Sequence, residues 1–419
     1  PDWSRRGLRD ETNQLGTFYY SSVADYAARR AFLAIAQRGN PRVVFWEKNV
    51  GVFLQDDFEV HPQLQVSLGF RYDWQNYFQD LNNVQPRIAL AWAPSKSRKT
   101  VIRTGSGTFY DRSGPGPVLD LLRFNGVQLR RYIVTDAGLI NSIRDTNFNT
   151  LLPTSIVKLD SRVQLPYVIQ FSVGIEHQIA KATTVAIQYV GVRGIQQFRS
   201  RDVNAPLAPF SAVRPEPQFS TVRQIESAGR LEQNHLEFTL RGKLVPRFTG
   251  VAQYSFGKAM SDTGGVNWFP AASTQPAGEW SRADTDRRHQ FNLLASANVH
   301  PWLKLGVALS ILSGSPFNIT TGRDNNRDGV ANDRPEGLER NAGQGPGYLG
   351  LDVRWSRELR FRPAAKDKSA SLTFSADAFN ILNRTNYVTY VGSLSSPLFG
   401  GPVAAQPPRR LQLGARFQF

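Results

Sequence analysis

The residues best suited to hold an ion lie in one short run, Asp324-Asn325-Asn326-Arg327-Asp328-Gly329-Val330. Its D-x-N-x-D-G spacing sets Asp324, Asn326 and Asp328 two residues apart, adds a glycine for the turn, and offers the Val330 carbonyl next. That is the first half of a calcium-binding loop. The second half departs from the pattern: Pro335 stands where a bidentate Glu belongs, leaving Asp333 or Glu336 to substitute. The competing reading is a turn rich in Asn, Asp and Gly, which needs no ion because these residues favour turns on their own. Both readings stay open, and in both the segment braces a loop. No cofactor other than calcium is expected.

Catalytic chemistry finds no foothold. The five histidines, His61, His177, His235, His289 and His300, show no metal-ligand spacing to one another, and two of them precede proline as plain turn residues. There is no cysteine, which excludes disulfides, thiolate metal sites and cysteine nucleophiles. Ser, His and Asp occur, but no G-x-S-x-G elbow presents a nucleophile. Gly105-Ser106-Gly107 lies inside a strand-like segment, where small residues suit a lumen-facing wall or a kink. We expect no catalytic residues and no enzyme.

The balance of 50 Lys+Arg against 34 Asp+Glu gives a net charge of +16. The arginines are scattered, whereas nucleic-acid binders show a focused basic stripe, so nucleic acid is not an expected partner. Arg71, Arg87, Arg103 and Arg112 fall on or near polar strand faces. They read as solvated or paired wall arginines, with guidance of anionic ligands as the functional alternative. No apolar run approaches the ~18 residues of a spanning helix. A spanning strand needs only ~10 residues with every second one apolar, so a barrel stays open. The chain opens at Pro1 without the basic and apolar regions of a signal peptide, and we expect a truncated chain.

The elements that must carry these residues have a period of two. Leu64, Val66, Leu68, Phe70 and Tyr72 alternate with Gln65, Ser67, Gly69, Arg71 and Asp73, and Leu303–Ile311 and Leu411–Phe419 repeat the pattern. We expect about fourteen strands, near 15–22, 43–58, 63–77, 84–94, 99–111, 166–179, 183–197, 229–244, 247–260, 285–299, 302–318, 347–361, 369–385 and 408–419. Short turns at His61-Pro62, Ser95 to Arg98, Ala180 to Ala182, Val245-Pro246, His300-Pro301 and Pro363 to Lys368 alternate strictly with long connections. That alternation puts every long loop at one rim, the form of an outer-membrane barrel with tight periplasmic turns and long extracellular loops. Aromatics near strand ends, such as Trp46, Trp74, Tyr77, Tyr110 and Trp302, suit interfacial girdles. Within 23–42, Val23, Tyr26, Ala27, Ala31, Phe32 and Ile35 have helical spacing, and 112–165 is long enough for small strands or a lid.

Several segments resemble the C-terminal barrel of TonB-dependent receptors, in the Oar-like branch. They include Phe53-Leu54-Gln55-Asp56-Asp57-Phe58, Leu68-Gly69-Phe70-Arg71-Tyr72-Asp73, Gln85-Pro86-Arg87-Ile88-Ala89, Asp286-Arg287-Arg288-His289-Gln290-Phe291-Asn292, Ser313-Gly314-Ser315-Pro316-Phe317 and Phe379-Asn380-Ile381-Leu382-Asn383-Arg384-Thr385-Asn386. The resemblance runs from about residue 43 to 419. It implies an all-β fold: an antiparallel transmembrane β-barrel, here partial, with about 14 of 22 strands. It also implies an N-terminal plug and often a carboxypeptidase-regulatory-like domain, so that 1–419 would be the C-terminal part of a longer receptor in the cell outer membrane. The implied partners are outer-membrane lipid, the plug, TonB through the missing N-terminal region, and the barrel assembly machinery reading the last strand and its terminal Phe419. The implied function is uptake of a ligand left unidentified. The alternatives are an adhesion barrel presenting surface loops and a passive porin.

Overall fold

The computed structural model describes the chain except residues 21, 113, 135–139, 141–152, 208–212, 301, 327, 329 and 362–369. Fourteen strands form its wall: β1 Asp2–Arg9, β2 Arg42–His61, β3 Leu64–Gln75, β4 Val84–Trp92, β5 Thr100–Tyr110, β6 Tyr167–Ala180 and β7 Thr183–Asp202, then β8 Phe219–Val245, β9 Phe248–Ser261, β10 His289–His300, β11 Leu303–Leu312, β12 Tyr348–Phe361, β13 Ala370–Phe379 and β14 Arg410–Gln418. Each is bonded antiparallel to the next in the chain. Among the described residues no ladder joins β1 to β14, so the sheet is an arc with two free edges.

Register explains why the alternation had to be kept. Leu54, Phe70 and Pro86 stand side by side on one face, and Gln55, Gly69, Arg87, Gly107 and Gln170 form a row on the other. A one-residue slip in any strand would exchange its greasy and wet faces. The first face stays bare, with Leu54 76% and Leu413 83% exposed, as a lipid-facing surface requires. On this face the Thr104 hydroxyl donates to the Ser172 carbonyl at 3.0 Å, so its hydrogen is not offered to hydrocarbon.

Short turns close β2–β3, β4–β5, β6–β7 and β8–β9 at one end, and the long connections gather at the other. Of the expected turns, Pro301 and Pro363 to Lys368 lie outside the described residues. In the turn after β8, Pro246 fixes one φ and Arg247 takes a left-handed φ of 71°.

Three expectations need correction. The segment 15–22 is not in the wall: Thr17–Tyr19 pairs with Leu33–Gly39 in a side sheet that also takes Leu129–Val134. The true first strand is Asp2–Arg9, whose outward face carries Trp3, Arg5, Gly7 and Arg9 and so keeps only one apolar residue of the alternation. The helix is shorter than its spacing suggests. α1 covers Val23–Ala27, capped by Ser22 accepting from the Asp25 amide, and Ile35 belongs to a strand. Finally, β11 stops at Leu312, and Pro316–Phe317 pairs instead with Gly343–Gln344.

Candidate functional site

The long connections fold together over the lumen mouth. In the connection 111–166, helix α2 (Pro115–Arg123) starts on Pro115, which gives up no helical hydrogen bond at that position. Val118 of α2 packs with Phe124, Leu129, Val157 and Leu165 against wall residues Val43, Phe45, Phe198 and Ile225. The described part of the connection thereby caps the mouth. Thr154–Leu159 extends the sheet by pairing in parallel with the upper part of β8.

Charge is built into this rim rather than kept at its surface. Glu279 accepts two bonds from Arg334, both at 2.8 Å, with side chains 3% and 10% exposed. Arg340, 1% exposed, lies over Trp268 at 5.2 Å and donates to the Ser261 carbonyl. Its low-dielectric setting pulls the guanidinium below its ordinary pKa, against the attraction of Asp284 and Glu279. Asn341 donates to Asp284 at 2.6 Å and to the Arg282 carbonyl at 2.8 Å. Arg123 and Arg223 bond Asp10 and Asp120 respectively, tying α2 to the first connection and to β8. None of these pairs was foreseen from the sequence. The signal available was the charge-dense run Arg334-Pro335-Glu336-Gly337-Leu338-Glu339-Arg340-Asn341.

The run read as a calcium loop lies here too, though Arg327 and Gly329 lie outside the described residues. Asp328 is 3% exposed and Asp333 is 9% exposed. Burial pushes Asp328 up to about 7; the Val330 amide opposes the rise, and the charges of Asp324 and Asp333 add to it. Burial likewise raises Asp333. The oxygens already have donors. Val330 N–H donates to Asp328 Oδ1 at 2.9 Å, and the Asn326 amide group donates to Asp328 Oδ2 at 3.3 Å. The Asp328 amide donates to Asn326 Oδ1 at 2.9 Å, and the Asn325 amide to Asp333 Oδ2 at 2.7 Å. The Val330 carbonyl accepts from the Asn332 amide at 2.9 Å. The geometry is a set of Asx turns, and among the described residues no group of three or more His, Cys, Asp or Glu is arranged to hold a metal ion.

The wall arginines mostly find partners within the wall. Arg71 forks onto Asp73 at 2.6 and 2.7 Å, Arg87 lies over Phe109 at 4.4 Å, and Arg103 sits 3.6 Å from Glu176. Arg112 is exposed beyond β5. The histidines are dispersed: His177 pairs with Thr100, His235 with Glu237, His289 with Tyr254, and His300 leans on Trp302. A cavity of about 430 Å³ opens beneath the rim between Phe198, Leu231, Val266 and Asp111. What the arrangement offers is recognition: a wet inner wall leading to a pocketed, rigid mouth.

Residues 76–339 match the family described as Outer membrane beta barrel domain, and residues 2–108 match TonB dependent receptor-like, beta-barrel. This chain belongs to the outer-membrane β-barrel domain family, and its residues 2–108 are similar to TonB-dependent receptor barrels. The barrel resides in the outer membrane. A comparison with curated proteins finds no match at the sequence level. Among solved structures, the outer membrane transporter YddB from Escherichia coli superposes with a TM-score of 0.60 at 14% identity, over 91% of this chain and 49% of that one. The ferric enterobactin receptor PfeA in complex with BCV-L6 gives 0.56 at 13% identity, over 99% and 50%. The ferripyoverdine receptor of Pseudomonas aeruginosa gives 0.54 at 12%, over 89% and 39%. At such identities the likeness is one of fold. The chain spans about half the length of the first two of these structures.

Proposed function

We propose that this barrel serves energised uptake of a scarce ligand across the outer membrane, as the C-terminal part of a longer receptor of the Oar-like branch. A plug would fill the lumen, TonB would act on that plug, and further strands would complete the wall between β1 and β14. The carrying observation is the rim: connections of one end are welded by buried ion pairs and an apolar core around a cavity open to the lumen. A passive pore needs no such mouth, and binding sites on rigid scaffolds are built from such loops. The ligand's chemistry is left open, since iron chelates, glycans, peptides and vitamins would all use this design. The exposed, alternating last strand with Phe419 at its end supports recognition by the barrel assembly machinery.

The test compares a strain lacking the full-length protein with its complemented parent, following depletion of medium components by mass spectrometry. Uptake predicts a component removed only by the complemented strain, and no longer removed once the inner membrane is de-energised. Depletion that survives de-energisation would indicate a porin. No depletion together with altered surface attachment would indicate the adhesion barrel.

Calcium at Asp324, Asn326, Asp328, Val330 and Asp333 is a separate proposal, supported by the D-x-N-x-D-G spacing and by the charges of Asp324 and Asp333 acting on the buried Asp328. About 1 mM calcium, near the dissociation constants of extracellular calcium modules, should then protect this loop from proteolysis. Unchanged cleavage in calcium and in chelator would leave the ion-free turn.

A further inference from the structure

We propose that the cavity beneath the rim recognises an ammonium group carried on an apolar body, so that the ligand taken up is cationic rather than an anionic chelate. This names a substrate class for the uptake proposed above and rests on that reading.

The chain has a net charge of +16, yet among the described residues no lysine or arginine lines this cavity of about 430 Å³. Its charged lining groups are two carboxylates, Asp111 and Asp284. The wall around it belongs to the middle of the arc. Strands β5 to β9 each have a ladder on both sides, so neither free edge of the sheet shapes the lining.

The backbone sets Asp111 at the top of β5. Its amide donates to the Pro166 carbonyl at 2.8 Å, and its carbonyl accepts from the Gln75 side chain at 3.0 Å. Its carboxylate forms no ion pair among the described residues, and burial raises it against one opposing bond from the Arg112 amide. A cation beside it would reverse that rise. Asp284 is partly compensated: it accepts from the Asn341 side chain at 2.6 Å and lies 3.8 Å from Arg340.

Arginines that adjoin the lining residues in sequence are held elsewhere. Arg199 and Arg201 share Glu226 at 2.6 and 2.9 Å, and Arg282 holds Asp286 at 2.8 Å. The lining donors are spent in the same way. Ser261 donates to the Arg230 and Thr263 carbonyls at 2.9 and 3.0 Å, and Thr263 to the Phe198 carbonyl at 2.9 Å. The Gln197 amide donates to the Tyr167 and Ile195 carbonyls, both at 3.2 Å. What these groups have left to offer is acceptors, set among the apolar Pro117, Leu231 and Val266.

An ammonium group brings a positive charge and three donors. Its charge-assisted bonds to a carboxylate are about twice as strong as neutral ones. An anion meets only like charge there. An apolar body beside the ammonium covers Leu231 and Val266. The cavity is at the small end of ligand sites, which span ~300–1,000 Å³, and so takes a small ligand or one end of a larger one.

The test titrates the full-length protein in detergent micelles with leucyl-leucinamide, whose amine is charged, with its N-acetyl derivative, and with its N-succinyl derivative, which carries a carboxylate. The free amine should bind roughly 10- to 100-fold more tightly than the acetyl form, and the succinyl form least. Asp111→Lys should reverse the order in favour of the succinyl form. If that variant does not fold, the isosteric Asp111→Asn should erase the preference for the amine. Equal affinity for amine and acetyl form, tighter binding of the succinyl form, or no binding of the amine would each overturn the proposal. An order unchanged in both variants would do the same. Binding needs no energised membrane, so cation preference without uptake would leave the recognition standing and sink the uptake reading. Energised uptake of an anionic component would do the opposite.

Discussion

In mid-wall, Leu54 and Phe70 lie side by side with nothing packed over them, while at the rim Glu279 and Arg334 are enclosed as a forked pair. The same hairpins therefore obey two opposite rules over their length. Where lipid is the solvent, apolar residues face out and the backbone pairs only within the sheet. Where water is the solvent, the connections bury apolar residues such as Phe124, Leu165 and Ile225. They also bury polar residues such as Asp202, Asn204, Ser281 and Asn341, each with a hydrogen-bond partner. The wall is held by one non-directional preference repeated many times, the rim by a few directional bonds.

That contrast can be broken most sharply at the rim. Glu279→Ala strands Arg334 in an enclosed site and should cost about 3–5 kcal/mol locally. Hydrogen exchange should rise across 262–288 and 313–347 while the amides of β9 to β12 keep their protection; loss of protection in both regions would show that they are one cooperative unit. In the wall, Leu54→Lys puts a charge into hydrocarbon at a cost of about 2–4 kcal/mol, whereas Gln55→Lys, one residue on and facing the lumen, should change stability by less than about 0.5 kcal/mol. Similar urea midpoints for the two variants would refute the assignment of faces.

A smaller effect separates the regions by pH. The carboxyl of Asp328 is raised from 3.8 to about 7, so the folded rim holds a proton that the unfolded chain releases. Its contribution is favourable below about 4 and is lost as pH rises towards 7. Protease resistance of 319–346 should therefore decline from pH 5 to pH 8, and Asp328→Asn should flatten the decline; a slope that persists in the variant assigns it to another group. The least change is expected at the turn end of the wall. Arg247 holds φ at 71°, a conformation glycine adopts freely, so Arg247→Gly should raise the unfolding midpoint by the equivalent of about 0.4–1 kcal/mol. A lower midpoint would mean that the Arg247 side chain contributes more than its backbone costs.

The wall was legible in the sequence because lipid enforces alternation residue by residue. The strand from Leu64 and the strand from Leu303 each reveal their faces without knowledge of any partner. β1 was not legible for the same reason inverted: with Arg5, Gly7 and Arg9 outward, its period of two keeps Trp3 as its one apolar mark. The rim was legible only where a motif is local, as in Asp324 to Asp333. Its stronger bonds join Glu279 to Arg334, Ser281 to Arg340 and Asp284 to Asn341, across more than fifty positions. No short window of sequence contains both ends of such a bond.

The strand Phe219–Val245 has 27 residues, roughly 90 Å at ~3.3 Å each, yet a tilted strand crosses the ~25 Å apolar band with about ten of them. Most of it stands beyond that band, still zipped to Thr183–Asp202 through two bulges. A protease shaving intact cells would therefore meet a laddered stalk whose two strands stay locked in one particle.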